Sequence, residues 1–165
     1  MASKRNPVKL KVRDRDRGWK KLRREMFGLR KFVTVGVHGE DDARSDEDGD
    51  IGNVELMAVH EFGSDIAGVP ERSVIRHTID TNANNYRRLV HKLGQQVYAT
   101  RITTVQALEL LGQKVASDMR RTIQRTPGDW PALADSTIAS REFGGTKPLL
   151  DRAELQRSIK HRVGL

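Results

Sequence analysis

His60 and Glu61 stand side by side in VELMAVHEFGSDIAGVPERSVIR, residues 54–76, with Arg72 and Arg76 shortly after them. An imidazole next to a carboxylate is half of a zinc-protease signature, which needs a second histidine four residues after the first to complete a metal pair on one helix face. Ser64 occupies that position, and no nearby run of ligands replaces it. His60 and Phe62 therefore read as side chains touching a core or a neighbouring subunit. Glu61, Arg72 and Arg76 read with them as contact residues around a loop-to-helix junction.

A second constellation lies just upstream. Asp46, Asp48, Gly49, Ile51 and Glu55 fall at the third, fifth, sixth, eighth and twelfth positions of a calcium loop. The first position, which opens coordination, is Arg44, whose charge removes a ligand and repels the cation. The segment GEDDARSDEDGD, residues 39–50, carries seven carboxylates and one arginine. Self-repulsion and the lack of apolar residues make it a solvated surface loop. Phosphate-cradling and nucleophile-elbow motifs are missing. The absence of cysteine removes disulfides, thiolate zinc sites and cysteine nucleophiles. The sequence predicts no catalytic site, no cofactor and no metal.

The elements that must position these residues follow from periodicity. A basic helix is predicted over 14–30, with Trp19, Leu22, Met26 and Leu29 on one stripe. Phe32–Val37 alternates and is β-branched, which predicts a strand ending near His38. Asn53 is placed to cap a helix that Gly63 stops, and a further helix starts near Ser73 and runs to Tyr98, with Thr81–Asn85 as a candidate interruption. Thr103 and Gln106 have capping-box spacing. Leu108, Leu111, Val115, Met119 and Ile123 then form a long stripe, ended by Pro127-Gly128. Short helices are predicted from caps at Asp135 and at Asp151 with Glu154, and SIKHRV, residues 158–163, reads as a closing strand. The fold class is α+β: a small antiparallel sheet with long amphipathic helices across one face. Residues 1–31 form a basic arm and helix, and residues 32–165 form a single domain.

Charge is segregated. Residues 1–31 hold thirteen Lys/Arg against Asp14, Asp16 and Glu25, while the rest is nearly balanced. Arg13, Arg15, Arg17, Lys20, Lys21, Arg23 and Arg24 are the candidates for contact with DNA phosphates or an acidic protein partner, with Trp19 able to stack on a base or to staple the helix to the core. No apolar run approaches the roughly 20 residues needed to span a bilayer. The N-terminus lacks a signal-peptide core. Both features predict a soluble protein that is not exported.

Two ordered motifs carry a resemblance. AVHEFG followed by VPERSVIR resembles the "A-x-HEFG … IP-x-RPFLR" segment of Mu-type virion morphogenesis and tail-completion (neck) proteins of tailed bacteriophages. Downstream, Trp130-Pro131-Ala132-Leu133, Lys147, Pro148-Leu149-Leu150-Asp151, Leu155 and Ser158-Ile159 resemble that family's "W-x-PL … T … K … PL-x-DTG-x-L-x-x-SI" ending. Ser73 stands where the family usually has proline, and Arg152-Ala153 where it has Thr-Gly. The resemblance spans roughly residues 32–163 and leaves the basic arm outside. It implies a non-enzymatic subunit of the virion head–tail junction, made in the host bacterial cytoplasm. Such a subunit forms a ring of its own copies, a hexamer before a dodecamer. Its implied partners are the portal or connector and the tail tube or terminator proteins, with packaged DNA in the channel as a further contact and no membrane. Two alternatives stand beside it: a stand-alone nucleic-acid-binding protein acting through the basic arm, and a tail terminator.

Overall fold

Thr103 and Gln106 cap a helix, as their spacing predicts. The Thr103 hydroxyl accepts from the Gln106 backbone N–H at 3.2 Å, and the Gln106 side-chain oxygen accepts from the Thr103 N–H at 2.9 Å. Both donors would otherwise be left over at the helix start. In the computed structural model, residues 18–27, 31–39, 51–141, 145–150 and 153–164 are described. Arg13, Arg15, Arg17 and residues 40–50, the calcium-like part of the acidic segment, lie outside them. The elements are α1 (Trp19–Phe27), β1 (Phe32–Val37), α2 (Asn53–Phe62), α3 (Val74–Tyr98), α4 (Thr104–Arg125), α5 (Asp135–Ser140), α6 (Glu154–Ser158) and β2 (Ile159–Gly164).

The sheet is formed by β1 and β2, antiparallel, in register from Phe32↔Gly164 to Val37↔Ile159. α4 crosses one of its faces, and α3 packs antiparallel on α4. Thr78 and Thr122 share a hydroxyl hydrogen bond of 2.7 Å, and the Tyr86 hydroxyl donates to Asp118 at 3.0 Å, so positions rise along α3 as they fall along α4. α3 passes through Thr81–Asn85 without a break; there Asn82 donates its side-chain amide to the Thr78 carbonyl at 2.9 Å.

The buried side of α4 is Ala107, Gly112, Ala116, Met119 and Ile123. Of the predicted stripe, Met119 and Ile123 are in the core, while Leu108, Leu111 and Val115 lie at its margin. The reason is steric. α4 is squeezed between sheet and α3, and a Cβ at Gly112 would come within 2.7 Å of His161 and 2.8 Å of Val33. Small residues let the backbone approach, and the larger ones flank the contact. Met57, Val74, Leu149, Leu155 and Ile159 complete the core around Ala116, Met119 and Ile123.

α1 is tied to this body and is not simply an appended arm. Leu22 is buried. The Glu25 carboxylate accepts from the Thr104 N–H at 3.3 Å, and its backbone carbonyl accepts from the Thr104 hydroxyl at 3.1 Å. Trp19 is 61% exposed and so does not staple α1 to the core. Two expected caps sit one position off: Asn53 and Asp135 are the first helical residues, flanked by Gly52 and Ala134. Among the described residues, no helix is long and apolar enough to cross a membrane.

Candidate functional site

Gly63 ends α2 with φ of 73°, and a Cβ there would sit 3.1 Å from the Glu71 nitrogen. Glycine relieves both constraints. The chain then makes a small loop closed by paired hydrogen bonds between Ser64 and Val69, and returns so that Arg72 N–H donates to the His60 carbonyl at 2.8 Å. This brings the end of α2 against the start of α3.

Glu61 is consumed by that junction. It is 6% exposed. Its carboxylate accepts from the Ser73 hydroxyl at 2.7 Å and from the backbone N–H groups of Ile75 at 2.8 Å and Arg76 at 3.0 Å. A carboxylate at a helix N-terminus satisfies orphan donors and complements the helix dipole. The reading of Glu61 as a contact residue is therefore corrected: it caps α3 from the preceding helix.

Arg72 also turns inward. It is 4% exposed. Its Nε donates to the Pro131 carbonyl and its Nη2 to the Ala132 carbonyl, both at 2.9 Å. Those are the second and third residues of Trp130-Pro131-Ala132-Leu133, 59 and 60 positions downstream. Burial, and secondarily the charge of Arg141, hold the Arg72 guanidinium below its ordinary pKa. Arg76 and Phe62 do remain at the surface. Arg76 pairs with Glu71 at 2.7 Å, both about half exposed, and Phe62 is 72% exposed.

His60 and Arg72 line a cleft of about 510 Å³ between α2, the 67–70 loop, the 132–141 stretch and α6. Leu56, Val69, Leu133 and Leu155 supply apolar wall, and Arg141 and Glu154 supply charge. Arg141 Nη1 donates to the carbonyls of Gly145 at 2.7 Å, Lys147 at 2.9 Å and Leu150 at 3.4 Å, bracing the segment that follows. Nothing in the sequence singles out Arg141. Its partners are carbonyls, which every residue has, so no pattern of residue types marks it.

The chain matches no protein-family model, no curated protein and no solved structure.

The remaining candidates sit on α1. Lys20, Lys21, Arg23 and Arg24 are exposed there, close in sequence to the exposed ring of Trp19. Among the described residues, no group of three or more His, Asp or Glu side chains converges in a way that could hold a metal ion.

Proposed function

We propose that this chain is a structural subunit of a tailed-phage head–tail junction, a tail-completion or neck protein that assembles as a ring between capsid connector and tail. The observation that carries the reading is the order of the two motifs, together with what their residues do. The Gly63 that ends AVHEFG takes the positive φ that glycine favours. Glu61 of the first motif caps the helix begun by the second half of that motif. Arg72 reaches across to Pro131 and Ala132 of the downstream motif. Ala153, aligned with a glycine of the resembled pattern, has φ of 57° and ψ of 19°, a left-handed conformation that glycine adopts more readily than alanine. The residues of the resemblance thus work as folding determinants, as expected of a signature shared by structural proteins rather than by catalysts.

Electron cryomicroscopy of virions from the phage that carries this gene tests the reading. A ring of this chain between connector and tail is the expected result. Its absence from virions whose heads and tails are joined would overturn the proposal.

The second reading, a nucleic-acid-binding protein, is favoured by one feature, the exposed basic row of α1 next to Trp19. Removing residues 1–17 and exchanging Lys20, Lys21, Arg23 and Arg24 for glutamine separates the two. Loss of salt-dependent DNA binding with joined particles intact supports the second reading. Failure of joining, with little DNA binding by the parent chain, supports the first.

A further inference from the structure

Two guanidiniums share the wall of the cleft, and among the described residues neither is neutralised. Among the described residues, the Arg72 guanidinium hydrogen-bonds only to the Pro131 and Ala132 carbonyls, and that of Arg141 only to those of Gly145, Lys147 and Leu150. Among the described residues neither makes an ion pair. A buried cation facing only neutral dipoles is costly. A second cation close enough to act on it adds to that cost. Natural proteins normally pair such groups. Here the outer Nη1 of Arg72 has no hydrogen bond among the described residues, and Arg72 lines open space.

We propose that the cleft is a binding site for a carboxylate carried by a partner polypeptide, an aspartate or glutamate flanked by apolar residues. Planar forks such as guanidiniums match the planar carboxylate, and the charge-assisted bonds they form are strong where water is scarce. The rest of the wall suits the neighbours of such a residue: Leu56, Val69, Leu133 and Leu155 are apolar, and the volume lies in the usual range for ligand pockets. The same wall argues against nucleic acid. Its described residues include no lysine, and His60 is the one ring among them, with no Trp, Tyr or Phe face on which a base could stack. The inference rests on the cleft alone and holds whether or not the chain is a junction subunit.

The probes are the tripeptide N-acetyl-Leu-Asp-Leu-amide, its asparagine counterpart, sodium acetate and inorganic phosphate, added to the full chain. The readout is the side-chain Nε–Hε NMR signals of Arg72 and Arg141. The aspartate peptide should shift both signals saturably, with the asparagine peptide weaker by about tenfold or more. Acetate, lacking apolar flanks, should also bind more weakly than the aspartate peptide. Arg141→Gln should weaken the aspartate peptide by about tenfold. Because Arg141 also braces residues 145–150, a second variant guards against misfolding. Thr137→Glu, at an exposed position lining the cleft, should supply an internal carboxylate, raise the melting temperature and block the peptide. Equal binding of the two peptides, no shift with either, phosphate binding more tightly than the aspartate peptide, or unchanged peptide binding by Thr137→Glu would each overturn the proposal.

Discussion

Glu61→Ala is the most direct perturbation of the junction that unites α2 and α3. It strips an acceptor from the Ser73 hydroxyl and from two backbone N–H groups, those of Ile75 and Arg76. Each buried donor left without a partner costs about 1–3 kcal/mol. The Ser73 hydroxyl can rotate to another acceptor, and Arg76 lies at the exposed side of the helix where water can reach its N–H. These two partial escapes bring the expected loss to about 3 kcal/mol, above the roughly 0.5–2 kcal/mol of an ordinary exposed cap. Against a total stability of about 5–15 kcal/mol that is a large fraction. Glu61→Gln keeps one acceptor oxygen but turns an amide N–H₂ toward a donor, and should lose about 1–2 kcal/mol. Urea unfolding followed by circular dichroism measures both through the midpoint, with an unchanged slope showing that the unfolded state is not altered. Arg76→Ala is the internal control. Its ion pair with Glu71 is about half exposed and should contribute under about 0.5 kcal/mol. A Glu61→Ala loss below about 1 kcal/mol, or one no larger than that of Arg76→Ala, would refute the capping role.

Other outcomes follow from the same packing. Gly112→Val should destabilise by about 2–3 kcal/mol, because its Cβ would meet His161 and Val33, whereas Gly94→Ala, with open space around it, should stabilise by about 0.5–1 kcal/mol in the same urea unfolding measurement. Ala153→Gly should raise stability by up to about 1 kcal/mol by relieving the left-handed conformation; a loss there would contradict the turn geometry. The Glu25 carboxyl is held below its ordinary pKa, chiefly by the Thr104 backbone N–H and then by Lys31. Its tether therefore contributes stability that is present above the ordinary value of 4.5 and lost as pH falls through the lower folded value. The Thr104 amide NMR signal should titrate with a midpoint below 4.5, and a midpoint at or above it would be inconsistent with the tether.

How much could be read from sequence depended on how far each residue's partner lay along the chain. The Thr103–Gln106 box, the Gly63 stop and the two strands were legible because each is written in a few consecutive residues. The long reach of α3 was legible too, although Thr81–Asn85 looked like a break. Polar residues in an exposed helix stretch have no packing to disturb, and Asn82 returns its amide to its own helix. What could not be read were roles fixed at a distance. Glu61 looked like half of a metal site because its neighbour is histidine, yet its partners are 12–15 positions ahead. Nor does the sequence show that the Arg72 guanidinium is anchored by backbone carbonyls 59 and 60 positions away. The α4 stripe was right in period but rotated, since periodicity does not record that the helix has neighbours on two sides.

The pairing of β1 with β2 has a consequence for biosynthesis. β1 leaves the ribosome well before β2: its backbone partners lie from 122 (Val37↔Ile159) to 132 (Phe32↔Gly164) residues later, so at a typical elongation rate it waits on the order of ten seconds. α3 and α4 are adjacent in sequence and can associate during that interval. Until β2 arrives, FVTVGV lacks the strand it pairs with, and an unpaired β-branched segment is the kind that pairs with the wrong chain. Crowded polysomes translating this message are thus where the fold is most exposed to error, and the α3–α4 hairpin, by presenting the Gly112 side of α4 early, offers β1 a surface to lie on before its true partner exists.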